Sequence, residues 1–132
     1  MSWLDGPLPA VLVTYNPDAS AFATPVWFRP HDGAFEVVVA EGDPKLRNLR
    51  RDPRSVLLVF ETAPPFRGLE VRGEAELVER DVTAERAAIA ARYLGAEAAE
   101  RFAAERTKPG VLVRLTAKPR AWDLAAILPA QA

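Results

Sequence analysis

The 132 residues are enough for one domain with one core, and we expect residues 1–132 to form it. Seventeen Lys and Arg against 18 Asp and Glu leave the chain nearly neutral. This argues against a nucleic-acid partner, which favours a net basic surface. With no cysteine, one histidine and three serines, the chain has few catalytic side chains. If it is an enzyme, we expect a bound group to carry the reaction.

Nothing in the sequence resembles a membrane span or a signal peptide. No apolar run approaches the roughly 20 residues that cross a bilayer. The first residues, Met1–Gly6, lack both the basic and the apolar region of a secretory signal. We therefore expect a cytoplasmic protein that has no membrane partner.

The first third of the chain predicts three strands, Ala10–Tyr15, Phe22–Arg29 and Phe35–Ala40. Turn residues separate them at Asn16-Pro17-Asp18 and at Pro30-His31-Asp32-Gly33. Short turns between neighbouring runs favour antiparallel pairing, so the three are expected to pair consecutively.

A short helix should follow the third strand. Asp43 can cap it and Pro44 suits its first position, so we expect a helix from Pro44 to Arg51 that ends before Asp52-Pro53. The run Ser55–Glu61 then predicts another buried strand.

The clearest strand pattern is Leu69–Glu79, where small or apolar residues alternate with charged ones. One face therefore belongs in a core, and Gly73 on that face suggests a bend or a close approach by another group. The residues of that face are Leu69, Val71, Gly73, Ala75 and Leu77.

Two alanine-rich helices, Thr83–Leu94 and Ala96–Arg106, are predicted on either side of Gly95. We interpret them as a cover for the strands and not as a functional site. The last strand is Val111–Thr116, which could continue to Trp122. The apolar stripe of the first helix would consist of Ala87, Ala90, Ala91 and Leu94. Six antiparallel strands with these helices predict a mainly β, α+β fold built as a small barrel or sandwich.

Metal and nucleophile chemistry find little support in the sequence. His31 stands alone in a turn, and no cluster of His or carboxylates has ligand spacing. A Ser-His-Asp triad would have to use His31 with Ser20 or Ser55, and nothing else supports one. Glycine-rich phosphate loops are also missing.

The segment Gly42–Arg54 is locally basic in a balanced chain. It is either an ordinary solvated helix face or part of an anion site. Helical geometry turns Leu46 and Leu49 to the core and leaves Lys45 and Asn48 at the border of that face. A cation and an amide at such a border, near a helix start, are the best candidates for ligand contacts. The five cations of the segment are Lys45, Arg47, Arg50, Arg51 and Arg54.

Two further segments carry aromatic residues whose role is open. Pro25 cannot donate to a strand ladder, so one side of its strand should be free or interrupted. Trp27 and Phe28 point to opposite faces of that strand, which favours a core position for Phe28 and an interface or ligand role for Trp27. Trp122 either packs on a partner subunit or closes the barrel end.

Taken together, these segments resemble the pyridoxamine 5′-phosphate oxidase-like split-barrel flavoproteins. The resemblance covers about Leu8 to Leu124. Its most specific part is the run KLRNLRRDPR, residues 45–54. The other matching parts are Pro25-Val26-Trp27-Phe28, Asp32-Gly33, Phe35–Ala40, Val71–Leu77 and Trp122-Asp123.

The resemblance implies a homodimer of six-stranded antiparallel split β-barrels, with two cofactor sites at the subunit interface. It implies FMN or coenzyme F420 as the cofactor and hydride transfer to a small unsaturated or heteroaromatic substrate as the activity. By position, the ring system would lie along Pro25, Val26, Trp27 and Phe28 and face Val38, Val39 and Ala40. The cofactor phosphate would be held by Lys45 and Asn48, with Arg47 nearby.

The sequence departs from the family pattern around the phosphate. Asp43 and Pro44 stand where many members have Arg and Ser, and Ala40 ends a strand that often ends in Thr or Ser. An acid at position 43 would repel a phosphate unless a neighbouring cation offsets it. These departures motivate an alternative function, a flavin or deazaflavin carrier without turnover. A haem or small-ligand binder is a third, less favoured reading, because His31 is the sole imidazole.

Overall fold

The computed structural model describes residues 2–123, so Leu124 and the residues after it lie outside the description. After a 3₁₀ turn at Ser2–Asp5, nine strands and three helices follow. The strands are β1 (Ala10–Tyr15), β2 (Ala21–Val26), β3 (Arg29–His31), β4 (Ala34–Ala40), β5 (Arg54–Phe60), β6 (Arg67–Glu74), β7 (Glu76–Val78), β8 (Gly110–Leu115) and β9 (Arg120–Asp123). The helices are α1 (Pro44–Arg51), α2 (Thr83–Leu94) and α3 (Ala96–Ala104).

The strands form two antiparallel sheets that share one core. One sheet has the order β2-β1-β5-β6-β9 and the other the order β3-β4-β8-β7. Apolar residues on the inner faces pack together, because alternate positions of each strand point inward. The fold is thus the expected mainly β, α+β split barrel. Fully buried members of this core include Leu12, Leu57, Val71, Val37, Val113 and Leu115.

The described part of the chain has nine strands where six were predicted, because two predicted strands are split between the sheets and the last one is followed by a separate strand. The run Phe22–Arg29 is interrupted at Trp27 and Phe28, and the run Leu69–Glu79 is interrupted at Ala75. The segment up to Trp122 is not a continuation of β8 but the separate strand β9. Periodicity cannot detect such breaks, since the alternation of side chains continues across a bend.

Of the two predicted pairings among the first three strands, the first is confirmed and the second is wrong. β1 pairs with β2, with Ala10 opposite Val26. β2 does not continue onto β4, however, because the chain crosses to the other sheet, where β3 pairs with β4. The link between β3 and β4 is the two-residue turn Asp32-Gly33, in which both φ angles are positive. This is the turn that suits the twist of a hairpin.

Helix α1 has the predicted bounds and the predicted cap. The Asp43 side chain accepts a hydrogen bond from Lys45 N at 2.9 Å. Asn48 anchors the helix to the barrel, since its Nδ2 donates to Thr14 Oγ1 at 3.1 Å and to Asn16 Oδ1 at 3.2 Å. Arg51 Nη2 donates to Asn48 Oδ1 at 2.8 Å, so the amide bonds on both ends. Asn48 is buried, with 4% of its surface exposed.

Helices α2 and α3 are split at Gly95 as predicted, and α3 ends slightly early, at Ala104. The predicted apolar stripe of α2 is wrong at its end, because Leu94 is 43% exposed. The buried face is instead centred on Ile89 and Ala90. The last turn of α2 contacts the barrel through Tyr93, and Leu94 lies on the exposed side of that turn. None of the helices in residues 2–123 is long and apolar enough to cross a membrane.

Gly68 on β6 provides a test of the β6–β9 edge. A Cβ there would lie 2.5 Å from Trp122 Cζ2 and 2.6 Å from its Cε2, so Trp122 packs directly on the glycine backbone. We expect Gly68→Ala to lower the free energy of unfolding by about 1–3 kcal/mol through overpacking. Chemical denaturation followed by tryptophan fluorescence measures this. Gly6→Ala is the control, because a Cβ at Gly6 meets nothing within 4 Å. Equal stability of the two variants would contradict the packing.

Asn48 provides a second stability test. Asn48→Ala removes the amide from the buried Thr14 hydroxyl and from Arg51, so we expect a loss of about 1–3 kcal/mol of unfolding free energy. Arg47→Ala on the same helix should change it by less than about 0.5 kcal/mol, because Arg47 is exposed. Urea titrations of both variants give the comparison. A stable Asn48→Ala would show that α1 is held without this amide.

Candidate functional site

A groove of about 250 Å³ runs between the end of β2, the outer face of β4 and the helices α2 and α3. Most of the groove is lined by apolar and aromatic residues, and one end is lined by charged residues. Its apolar lining is Pro25, Val26, Trp27, Val38, Val39, Ala40, Ile89 and Phe102. Its charged lining is Asp43, Lys45, Arg86 and Arg106.

The aromatic wall forms at the corner where β2 leaves its sheet. Trp27 is 37% exposed and stacks on Tyr93 of α2, with ring centroids 5.0 Å apart and planes at 10°. Phe102 of α3 lies 5.3 Å from Trp27. Trp27 therefore joins the barrel to both helices while keeping one side open.

Tyr93 clamps this corner through its hydroxyl. It donates to Leu8 O at 2.8 Å and accepts from Phe28 N at 3.3 Å. Burial raises the pKa of the Tyr93 phenol above its usual range, in keeping with a hydroxyl that donates its proton to a backbone carbonyl. Because both of its hydrogen bonds go to the backbone, Tyr93 acts here as a structural link.

The apolar surface continues past Trp27 into a second cavity of about 630 Å³. That cavity shares four residues with the groove and is bounded on its far side by the N-terminal segment. The shared residues are Pro25, Val26, Trp27 and Phe102, and the added ones are Pro7, Pro9, Ala10 and Tyr93. A planar apolar molecule longer than the groove could therefore extend along this surface.

At the charged end, Asp43 and Lys45 largely neutralise each other. Lys45 Nζ lies 2.9 Å from Asp43 Oδ2, and the other carboxylate oxygen caps α1. Arg86 of α2 adds a cation whose Nη1 donates to Lys108 O at 3.2 Å. Burial lowers the pKa of the Arg86 guanidinium, and the neighbouring Arg106 lowers it further. The net positive charge of the groove therefore comes from the two helices and not from α1.

Seven of the ten residues predicted for the site line this one groove: Pro25, Val26, Trp27, Val38, Val39, Ala40 and Lys45. The other three do not. Phe28 is fully buried in the core, as its strand pattern predicted. Asn48 is turned into the barrel by its bonds to Thr14 and Asn16, and Arg47 is exposed and donates to Gly42 O.

The sequence reasoning missed the groove residues that α2 and α3 supply, namely Arg86, Ile89, Phe102 and Arg106. The helical pair covers the barrel as predicted, and it also forms one wall of the groove. A usable signal was present. Arg86 and Arg106 lie at similar distances on either side of Gly95, so an antiparallel hairpin that turns there brings them together.

Two of the five cations of the predicted basic segment, Arg50 and Arg54, form ion pairs outside the groove. Arg50 forms ion pairs with Glu41 and Glu79, and it holds the pKa of the Glu41 carboxyl below its usual range. Arg54 pairs with Asp52 at 2.7 Å. Apart from Lys45, the cations of the segment therefore belong to a solvated helix face and its flanks.

His31 lies outside the groove. It is exposed as predicted, but it ends β3 and does not lie in the turn. Its Nε2 lies 3.2 Å from Asp32 Oδ2. Among residues 2–123, no group of three or more His, Asp and Glu side chains could hold a metal ion.

Comparison with known proteins identifies the fold and the family. The family model described as pyridoxamine 5′-phosphate oxidase matches residues 1–122. A comparison with curated protein sequences finds no match.

Similar solved structures include a conserved hypothetical protein from Mycobacterium tuberculosis, with a TM-score of 0.80 and 27% identity over 99% of this chain and 87% of that one. An F420 reductase gives a TM-score of 0.72 and 24% identity over 92% and 94% of the two chains. The heme storage protein HutZ from Vibrio cholerae gives a TM-score of 0.65 and 18% identity over 87% of this chain and 84% of that one. The last two show the fold alone. With its split barrel and a family match over residues 1–122, the chain belongs to the pyridoxamine 5′-phosphate oxidase family.

Proposed function

We propose that the chain is an oxidoreductase that uses FMN or coenzyme F420 for two-electron hydride transfer to a small unsaturated or heteroaromatic substrate. The observation that carries the proposal is one groove that is apolar along its length and cationic at its end. That combination suits a planar ring system joined to a phosphate. The F420 reductase among the similar structures and the family match support it.

The apolar part of the groove fits a ring. Val38 and Ala40 point outward from β4, while Val37 and Val39 point into the core. On the opposite side, Pro25 and its neighbours lie on β2, which is an edge strand in the described sheet. Edge strands present unpaired backbone groups, which could bond the polar edge of a ring.

The charged end fits a phosphate. Lys45, Arg86 and Arg106 bring three positive charges, and Asp43 brings one negative charge. The remaining charge of about +2 matches a phosphate monoester, which carries about −1.5 to −2 at neutral pH. Lys45 keeps the role that the resemblance implied. We assign the role of Asn48 and Arg47 to Arg86 and Arg106, because only the latter two line the groove.

The bound cofactor would supply the hydride chemistry, and the chain would supply binding, orientation and exclusion of water. Pro25, Trp27 and Val38 would hold the ring, and Lys45 with Arg86 would fix the phosphate end. The titratable groups in the described lining of the groove are three cations and the Asp43 carboxylate. Since that carboxylate caps α1 and pairs with Lys45, we expect water to supply any proton the substrate needs.

We further propose that two copies of the chain complete the site. On β2 the exposed positions Ala21, Ala23 and Pro25 alternate with half-buried ones, and the exposed Trp27 follows directly after the strand. The exposed residues of this face are apolar and most of them are small, and the face borders the open groove. Such a surface suits contact with a second barrel. A homodimer would cover β2 and enclose the ring between subunits.

One observation favours the alternative of a carrier without turnover. Asp43 engages Lys45 at 2.9 Å, so Lys45 offers a weaker charge to a phosphate than a free lysine would. A haem site has less support, because the one imidazole, His31, is on β3 outside the groove. A protein ligand to haem iron would have to be a different side chain.

The cofactor assignment is tested by fluorescence titration with FMN and, separately, with F420. We expect micromolar or tighter affinity for at least one. Lys45→Ala and Arg86→Ala should each weaken it about tenfold, since a charge-assisted hydrogen bond contributes about 1.5–3 kcal/mol. Lys118→Ala, an exposed cation outside the groove, is the matched control. Circular dichroism shows whether each variant is folded.

Absence of binding to both cofactors would refute the proposed function. Binding that survives in Lys45→Ala and Arg86→Ala would refute the phosphate assignment. Tight binding without reduction of any enone or heteroaromatic acceptor would establish the carrier.

The dimer is tested by light scattering in solution. We expect twice the mass of the chain, and we expect Ala23→Glu to shift the mass towards that of a monomer by placing a charge on the β2 face. Ala96→Glu, at an exposed position at the start of α3, should leave the mass unchanged. A monomeric parent protein would contradict a site shared between subunits.

A further inference from the structure

A polar cavity of about 430 Å³ lies on the outer face of the sheet β3-β4-β8-β7. It shares no lining residue with the groove. Helix α2 stands between the two spaces, since Glu85 lines the cavity and the next residue, Arg86, lines the groove. The lining of the cavity is Arg29, His31, Asp32, Glu36, Glu76, Val78, Arg80, Glu85, Leu112 and Arg114.

A row of alternating charges lines the base of this cavity and crosses all four strands of the sheet. Arg29 of β3 lies opposite Glu36 of β4, and Glu36 lies opposite Arg114 of β8. Arg114 in turn lies opposite Glu76 of β7. Residues directly opposite each other on antiparallel strands point to the same face, so the four side chains stand side by side.

Glu36 holds both arginines of the row in place. Its side chain is 3% exposed, and its two oxygens accept from Arg29 Nε and from Arg114 Nε, each at 2.8 Å. Because a buried carboxylate is costly unless it is paired, neither arginine can turn away without a loss of stability. The two guanidinium groups are therefore fixed before any ligand binds.

The outer nitrogens of the two arginines face the cavity without a hydrogen bond. Within residues 2–123, neither Arg29 nor Arg114 donates a hydrogen bond from Nη1 or Nη2. The two side chains are 16% and 21% exposed, so these nitrogens can be reached from the cavity. Because the guanidinium fork matches the geometry of a carboxylate, the pair is suited to bind one.

The acids around the two arginines restrict which carboxylate fits. Glu85 is paired with Arg80 at 2.5 Å, and Arg80 holds the pKa of the Glu85 carboxyl below its usual range. Glu76 is 62% exposed, and its Oε2 lies 3.9 Å from Arg114 Nη1, beyond hydrogen-bond distance. With a neutral histidine, the lining holds three cations and four carboxylates. A ligand with negative charge alone would meet that excess of acid, whereas a ligand that also carries a positive charge could pair with Glu76.

We propose that this cavity binds a small zwitterion, with its carboxylate on the Nη atoms of Arg29 and Arg114 and its ammonium group on Glu76. The separation of 3.9 Å between Arg114 Nη1 and Glu76 Oε2 favours a ligand whose two charges are close together, as they are in an α-amino acid. The inference goes beyond the proposed function, because the cavity is separate from the groove and needs no cofactor.

The site is tested by isothermal titration of the full chain with glycine, and separately with acetate and with methylammonium. The last two probes each carry one of the two charged groups of glycine. We expect saturable binding of glycine in the millimolar range or tighter. Each single-charge probe should bind at least about tenfold more weakly, because it lacks one of the two charge-assisted contacts.

Two variants locate the site. Arg114→Lys keeps a cation beside Glu36 but removes the guanidinium fork, and Glu76→Gln removes the exposed acid. Each should weaken glycine binding about tenfold. The matched control is Glu74→Gln, which removes an exposed acid of β6 outside the cavity and should leave the affinity unchanged. Circular dichroism shows whether each variant is folded, and the exposure of Glu76 keeps Glu76→Gln informative if Arg114→Lys does not fold.

The inference would be overturned by an absence of saturable glycine binding at millimolar concentration, or by equal affinities for glycine and acetate. Equal affinities of Glu76→Gln and Glu74→Gln for glycine would also overturn it. A chain that binds FMN or F420 but not glycine keeps the proposed function and loses this site. A chain that binds glycine with the expected dependence on Glu76 but neither cofactor keeps this site and loses the proposed function.

Discussion

The candidate site depends on the corner at Trp27 and Phe28, where the chain passes from one sheet to the other. Phe28 fills the core, and Trp27, the next residue back, is left outside and stacks on Tyr93. The Tyr93 hydroxyl then bonds the backbone of both Leu8 and Phe28. Together, the buried Phe28, the stacked Trp27 and the hydrogen bonds of Tyr93 fix the position of α2 on the barrel. The groove is the space that this arrangement leaves open.

The chain is nearly neutral overall, yet one end of the groove is positive, because some of its cations form ion pairs and others do not. On α1 and its flanks, Asp43 and Asp52 pair with Lys45 and Arg54, and Glu41 and Glu79 pair with Arg50. The two cations of this stretch that have no acidic partner within residues 2–123, Arg47 and Arg51, donate to oxygens outside the groove. At the open end of the α2–α3 hairpin, Arg86 and Arg106 both line the groove, and neither forms an ion pair with an acid of residues 2–123. The positive potential of the groove thus follows from which unpaired cations face it and not from the number of cations in a segment.

The sequence predicts those features that depend on neighbouring residues. Asp43 and Pro44 define the start of α1 because a cap and a first-turn proline act within a few residues. Gly95 splits the helical pair for the same reason. Leu94 shows the limit of this reasoning, because helical periodicity says that a residue shares a face with others. It does not say which residues of that face another element covers.

The sequence by itself therefore determined the fold class, the helix α1 and most of one wall of the groove, from Pro25 to Trp27 and from Val38 to Ala40. The fold class and α1 follow from alternation and caps that are local to the chain, whereas the residues of the groove wall follow from the family resemblance of the sequence. Only the tertiary structure decided that the Asn48 amide forms its hydrogen bonds inside the barrel and that Arg86 and Arg106 complete the charged end of the groove. Those outcomes depend on contacts between residues far apart in sequence, such as Asn48 with Thr14, which no local pattern encodes.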